Sequence, residues 1–213
     1  MLSLLSKNPD PNIVTETDFK LAFTNSWFDY AKRLIYLMPG NSLKSFITPE
    51  IFNEAMPSAN TQLLKSMFIK ASGDVQQSII EDLLLHFATI DEYDAFKNVV
   101  ETKITNPKLF SNGETLFTML LKDEKIRYCW AIIRLAPDKK CLNLANVMKQ
   151  IPLQIVIETD LYDLICPLIV NCDNLSNLDI RGYTPLMQLF QKLSISTDVF
   201  IDYFSLFNSV MTD

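Results

Sequence analysis

Few side chains in this sequence could carry out acid–base or nucleophilic chemistry. His86 is the only histidine among 213 residues, so a Ser-His-Asp or Cys-His arrangement would have to use it as the general base. The sequence contains neither G-x-G-x-x-G nor G-x-x-x-x-G-K-[ST], the phosphate-binding motifs of dinucleotide-binding and P-loop proteins. We therefore expect a protein that is not an enzyme. An enzyme with an unrecognised site stays open as an alternative, and a deep pocket would distinguish it from a shallow binding groove.

The cysteines and the clustered carboxylates do not form a recognisable metal or acid–base site. None of the four cysteines has CxxC spacing, and the single histidine leaves too few ligands at the spacing of zinc sites. We expect reduced thiols, no metal and no cofactor. The carboxylates at residues 91–94 and 123–124 fall in predicted turns between helices, where charged side chains are usually solvated.

The overall charge and hydropathy narrow the class of partner. The net charge is -6 and the sequence pI is about 4.9, whereas binding to a phosphate backbone requires a clustered positive field. No apolar run approaches the roughly 20 residues that span a bilayer, and the first residues make a poor secretory signal. We expect a cytoplasmic protein that binds another protein, of basic or mixed charge, without nucleic-acid binding or a membrane span.

The stretch NLDIRGYTPLMQLFQ, residues 177–191, predicts a tight turn followed by a capped helix. Gly182 can adopt a positive φ without strain, Thr184 can cap the first helical turn, and Pro185 suits the first helical position. The apolar residues that follow are three and four apart, as on one face of a helix: Leu186, Leu189 and Phe190.

This G-x-T-P-L segment resembles the core of the ankyrin repeat, and weaker matches recur at intervals of 31 to 36 residues. The expected repeats start near residues 17, 48, 83, 115, 151 and 184. The resemblance implies an all-α fold, an ankyrin-type α-solenoid of stacked helix-turn-helix repeats with short or irregular hairpins. It covers residues 17–213 as one domain, after an N-terminal segment or cap at residues 1–16. An array of unrelated helical hairpins is the structural alternative.

The same resemblance places particular residues. His86 falls on the structural histidine of the family, which bonds to a neighbouring turn. Pro167 falls inside an expected second helix, which must then begin late or bend. Small residues are expected at inward positions of the first helices: Ala22, Ala55 and Ala88.

Ankyrin proteins usually contact partners through the hairpin tips and the concave face of the first helices. Carried over by position, the candidate protein-binding residues are Trp27, Asp91, Lys122, Asp123, Glu158, Ile180, Arg181, Tyr183 and Lys192. Aromatic and arginine side chains at an exposed rim are common binding hot spots. We therefore expect Trp27, Arg181 and Tyr183 to contribute to one surface, with packing of Trp27 as an N-terminal cap as the alternative.

The function expected from these features is that of a non-catalytic interaction module or scaffold for a protein partner, as a monomer or weak dimer. The second hypothesis keeps the fold and the surface but changes the setting. Abundant Asn, Ile, Lys and Phe with little Gly resemble the ankyrin proteins that intracellular bacteria and large viruses deliver to host cytoplasm. A secreted effector acting on a host protein is therefore the alternative.

Overall fold

The computed structural model describes residues 15–37, 47–57, 60–102, 107–192 and 197–211. Within these ranges all regular secondary structure is helical, which confirms the predicted all-α class. The described α-helices are α1 (Glu16–Thr24), α2 (Phe28–Leu37), α3 (Pro49–Ala55), α4 (Thr61–Lys70), α5 (Gly73–Thr89), α6 (Tyr93–Val100), α7 (Leu116–Lys122), α8 (Ile126–Leu135), α9 (Pro152–Glu158), α10 (Ile165–Val170), α11 (Pro185–Lys192) and α12 (Thr197–Met211). Short 3-10 helices lie at Lys140–Leu142 and Tyr162–Leu164.

The chain divides into two compact units, residues 1–87 and 88–213. In the first unit α1 packs against α2, α3 packs against α4, and α2 packs against α4. The expected N-terminal segment at residues 1–16 lies almost wholly outside the described residues. The expected organisation of residues 17–213 as one repeat domain stays a prediction.

In the second unit, successive helical pairs lie side by side. The pairs are α7 with α8, α9 with α10, and α11 with α12. Helix α9 packs against both α7 and α11, while α6 packs against α8 and α10 against α12. Each pair therefore buries apolar surface both internally and against its neighbour.

Helix starts follow the capping signals in the sequence. Thr184 Oγ1 accepts a hydrogen bond of 3.1 Å from the Met187 N–H, and α11 begins at Pro185. Gly182, in the turn before this helix, has φ +81°. The predicted turn and capped helix are thus confirmed. Thr115 caps α7 in the same way, through a 3.1 Å bond from the Thr118 N–H.

The expected repeat start at residue 83 lies far from any helix start. Leu83 lies inside α5, a single 17-residue helix. No glycine or proline interrupts this helix after its first residue, and a buried apolar stripe runs along it without a break. The stripe consists of Ile79, Ile80, Leu83, Leu84 and Phe87. His86 lies on the same helix, where burial lowers the pKa of its imidazole.

The helix containing Pro167 begins late, one of the two outcomes expected. A 3-10 turn at Tyr162–Leu164 precedes α10, which starts at Ile165. Pro167 is then in the first helical turn, where a missing N–H removes no intrahelical hydrogen bond.

The expected inward positions of the first helices are buried. Ala22, Ala55 and Ala88 are at most 1% exposed. The four cysteines, all of which the structure describes, form no disulfide. Cys129 lies in the core, and burial raises its pKa to about 12. Its thiol is therefore protonated at neutral pH, which makes it a poor nucleophile.

Candidate functional site

Three turns of the second unit share one backbone hydrogen-bond pattern. They span residues 110–114, 146–150 and 179–183, and we call them tip turns one, two and three. In each, the first N–H donates to the fifth carbonyl and the fourth N–H donates to the first carbonyl, at 2.8 to 3.1 Å. The fourth residue has a positive φ in every case: Gly113, Lys149 and Gly182. The same local fold thus recurs after 36 and then 33 residues.

The three tip turns are joined by backbone hydrogen bonds. The Val147 N–H donates to the Gly113 carbonyl at 2.9 Å, and the Ile180 N–H donates to the Met148 carbonyl at 3.1 Å. These bonds hold the turns in a fixed register and leave apolar side chains outside. Val147, Met148 and Ile180 are 58%, 45% and 53% exposed. Grouped exposed apolar side chains on an ordered backbone are typical of an interaction site.

Tip turns two and three are each anchored by the side chain of their first residue, and turn one by the side chain of its last. The Asn146 amide oxygen accepts from the Met148 and Gln150 N–H groups, both at 3.0 Å. Asp179 accepts equivalent bonds in turn three. Glu114 ends turn one, and its carboxylate accepts from the Asn146 amide at 3.2 Å. The side chains of the buried residues Glu114, Asn146 and Asp179 therefore fix the turns from inside.

Five of the predicted binding residues come together at tip turn three: Glu158, Ile180, Arg181, Tyr183 and Lys192. Arg181 forms ion pairs with Glu158 and with Asp179, and its guanidinium lies 5.7 Å from the centre of the Tyr183 ring. Lys192 donates to the Glu158 carbonyl and pairs with Asp160. Arg181 and Lys192 thus connect tip turn three and α11 to the end of α9.

The electrostatics of this cluster favour the charged forms. The hydrogen bonds from Lys192 and Tyr162 lower the pKa of Asp160. The bonds to Asp179 and Glu158 raise the pKa of Arg181. These charged side chains pair with each other within the chain and so hold tip turn three in place. The exposed apolar side chains of the tip turns are therefore stronger candidates for contact with another protein than these charges are.

The other predicted residues lie elsewhere. Asp91 pairs with Arg127 and accepts from the Tyr128 hydroxyl at 3.0 Å, while Lys122 pairs with Glu114. Asp123 is exposed at the end of α7. Trp27 is 41% exposed in the first unit, so its combination with Arg181 and Tyr183 stays a prediction.

Four of the described turns that follow a helix share another feature. In each of these four, a residue other than glycine has a positive φ: Ser26, Asp91, Glu124 and Asp160. In three of them the following N–H donates back to the residue five positions earlier, at 2.8 to 3.1 Å. This is the Schellman pattern of helix C-termini. The carboxylates of Asp91, Asp123 and Glu124 are exposed at these turns as predicted, whereas Asp94 is exposed in the first turn of α6.

Val147 and Met148 are not among the residues predicted from the sequence. Gly182 marks the turn that contains Ile180, whereas the equivalent turn at 146–150 contains no glycine. The repeat spacing itself carries the missing signal, since Val147 lies 33 residues before Ile180.

No protein-family model matches this chain. No curated protein matches it at a significant level either. Across the described ranges, no three His, Cys, Asp or Glu side chains are grouped to hold a metal ion, and no helix has the length and hydropathy to cross a membrane.

Proposed function

We propose that this chain is an ankyrin-type repeat protein that binds a protein partner through its tip turns and carries out no catalysis. The observation that carries the proposal is the edge of three hydrogen-bonded tip turns with Val147, Met148 and Ile180 exposed on it. Such an edge offers a preformed apolar surface, so that little conformational entropy is lost on binding.

The repeat identity is supported by more than the spacing of the turns. Gln154 stands on the position of the ankyrin family's structural histidine, three residues after the expected repeat start at 151. Its buried amide donates to the Tyr183 carbonyl at 2.8 Å and accepts from the Ile151 N–H at 3.1 Å. This side chain thus bonds to a neighbouring turn, which is what the resemblance implies for the family's structural histidine.

A pair of substitutions at Gln154 tests this identity. Gln154→Leu leaves the Tyr183 carbonyl and the Ile151 N–H without their buried partner, and we expect it to lower the free energy of unfolding by about 2 kcal/mol. Gln154→His offers both a donor and an acceptor, and we expect it to lose less than half as much. Urea unfolding monitored by circular dichroism measures both values. Equal losses would argue against the ankyrin-type role of this position.

Charged residues on the tip surface should abolish partner binding. Met148→Glu combined with Ile180→Glu replaces the apolar contacts by charges that a partner cannot easily bury. We expect the affinity for the partner to fall about 30-fold or more, as at binding hot spots. The partner is first identified by photo-crosslinking from residue 147 in the source cell, and its affinity is then measured by titration calorimetry.

The matched control for that experiment is Val170→Glu. Val170 is a 62% exposed aliphatic residue of the same unit, at the end of α10 and outside the tip turns. The control should bind within about twofold of the wild type, since isolated exposed positions contribute little. Equal affinity of the tip variant and the control would remove the tip turns from the binding site.

A further inference from the structure

Helices α2 and α4 of the first unit expose a large apolar side chain at the same position. Both helices have ten residues, and the fourth, seventh and eighth residues of each are buried. The two helices pack against each other, so helices that bury the same positions lie side by side. Their ninth residues, Tyr36 and Ile69, are 68% and 70% exposed, the highest values among the large apolar side chains that the structure describes.

Packing within the chain does not require an apolar residue at this position. Helices α6 and α8 of the second unit also bury their fourth, seventh and eighth residues. The ninth position there is occupied by Glu101, directly after α6, and by Arg134 in α8, and both are exposed. Charged side chains are usual on the solvent side of a helix. Exposed apolar side chains such as Tyr36 and Ile69 instead mark a contact surface.

These two apolar side chains lie among positive charges. Helices α2 and α4 carry four basic residues and a single carboxylate, that of Asp29, although the net charge of the whole chain is -6. On each helix a lysine stands four residues before the apolar side chain, which places the two on one side of the helix. We call the four basic residues and the two apolar ones the basic face: Lys32, Arg33, Tyr36, Lys65, Ile69 and Lys70.

The charges of the basic face are available to an external anion. Among the residues that the structure describes, none of its four basic side chains takes part in an ion pair or a side-chain hydrogen bond. This differs from Arg181 and Lys192 of the second unit, which pair with carboxylates of the same chain. A cluster of cations without internal partners attracts negatively charged surfaces.

The composition of the basic face favours an anionic membrane surface over an acidic protein. Three of its four cations are lysines, which are depleted at protein–protein interfaces. Lysine stems lie along apolar surfaces while the ammonium groups reach the lipid headgroups, and the three lysines of this face are all half-buried. Tyrosine rings are enriched at the level of the headgroups, and apolar side chains enter the boundary with the acyl chains. Clusters of basic residues on helices are attracted to anionic lipids.

We propose that the basic face binds an anionic membrane surface, with Tyr36 and Ile69 inserted among the lipid headgroups. Such binding is peripheral, because the attraction of the four cations and the burial of two apolar side chains hold the helices on the bilayer surface. The inference goes beyond the proposed function, since the basic face shares no residue with the tip turns. The two are tested separately, because vesicle binding is measured on the pure protein without any protein partner.

Co-sedimentation of the full chain with vesicles tests the proposal. We expect the wild type to bind phosphatidylcholine vesicles that contain about 30% phosphatidylserine, and to bind them less as added salt screens the charges. Vesicles of phosphatidylcholine alone should recover little protein. Circular dichroism checks that each variant is folded.

Two pairs of substitutions separate the basic face from the rest of the first unit. Lys65→Glu should weaken binding to the anionic vesicles about tenfold or more, because it replaces an attracted charge by a repelled one. Ile69→Ser should weaken it about fivefold, because an inserted apolar side chain is lost. The matched controls are Lys20→Glu and Leu21→Ser, the same kinds of change at exposed positions of α1, and both should bind within about twofold of the wild type.

A wild type that binds neither kind of vesicle, or binds both equally, would overturn the proposal. Equal losses from Lys65→Glu and Lys20→Glu would also overturn it, because the attraction would then not come from the basic face. Polyglutamate tests the other occupant. If the wild type binds polyglutamate but not the vesicles, and Lys65→Glu abolishes this binding, the basic face binds an acidic protein and not a membrane.

Discussion

Replacement of Asp179 by alanine is expected to lower the free energy of unfolding by about 3 kcal/mol. Asp179 is 4% exposed, and one carboxylate oxygen accepts from the Arg181 and Tyr183 N–H groups, both at 2.9 Å. The other oxygen accepts from Arg181 Nε at 3.0 Å and from Gln188 Nε2 at 2.9 Å. Alanine leaves the buried Gln188 amide and the two backbone donors of tip turn three without these bonds.

The stability lost on replacing Asp179 by alanine should also depend on pH. Burial is the largest single influence and raises the pKa of its carboxyl, but the bonds from Tyr183 and Arg181 together outweigh burial and lower it. A folded-state pKa below the unfolded value means that the charged form stabilises the fold above the ordinary carboxylate range. This contribution disappears as the pH falls through the folded-state pKa. The difference in the free energy of unfolding between wild type and Asp179→Ala should therefore become smaller below about pH 4.

Urea unfolding at pH 7 and at lower pH measures both effects. The control is Asp163→Ala, which removes an exposed carboxylate of the same unit and should change the free energy of unfolding by less than about 0.5 kcal/mol. If the two variants lose equal stability at pH 7, the Asp179 carboxylate does not anchor tip turn three. If the difference in the free energy of unfolding between wild type and Asp179→Ala stays constant at low pH, the ionised form is not what stabilises the turn.

The parts of the fold that follow from short-range signals could be predicted from the sequence. Gly182, Thr184 and Pro185 act within a few residues of their own position, so their types indicate a turn and a capped helix directly. At the expected start Leu83, by contrast, local signals and the family alignment disagree. There the alignment required a turn, but no local residue breaks the helix, and the continuous apolar stripe of α5 prevails.

The arrangement of the candidate site depends on longer-range contacts. Gln154 and Tyr183 are 29 residues apart, and Lys192 reaches Asp160 over 32 residues. The sequence predicts Arg181 and Lys192 as exposed contact positions, because it does not show that Glu158 and Asp160 lie beside them. Only the packing of one helical pair on the next makes them partners of each other.

The fourth residue of each tip turn has a positive φ, and this explains why tip turn two was not predicted. Gly113 and Gly182 adopt this conformation without a Cβ atom, whereas Lys149 adopts φ +57° at the equivalent position of tip turn two. A side chain is therefore tolerated at this φ in the second turn, at a cost of about 1 to 2 kcal/mol. Glycine is a sufficient signal for such a turn, but its absence does not exclude one.

Alanine at Gly113 should cost more than alanine at Gly182, although both glycines have the same backbone conformation. A Cβ atom at Gly182 would meet nothing within 4 Å, so we expect only the backbone cost of about 1 kcal/mol. A Cβ atom at Gly113 would lie 2.7 Å from Val147 Cγ2, 3.0 Å from Val147 Cβ, and closer still to Cγ1. Because the Val147 N–H is bonded to the Gly113 carbonyl, tip turn two would have to shift, and we expect a total loss of about 3 kcal/mol.

A double substitution separates the clash from the backbone strain. Val147→Ala removes both methyl groups that the new Cβ would meet, so Gly113→Ala should cost about 1 kcal/mol less in the Val147→Ala background than in the wild type. Gly182→Ala should cost the same in both backgrounds. Denaturant unfolding of the six proteins gives the two coupling energies. If the coupling energy between Gly113→Ala and Val147→Ala is as small as that between Gly182→Ala and Val147→Ala, tip turns one and two are not held in contact. The proposed binding surface would then lack the continuous edge on which it depends.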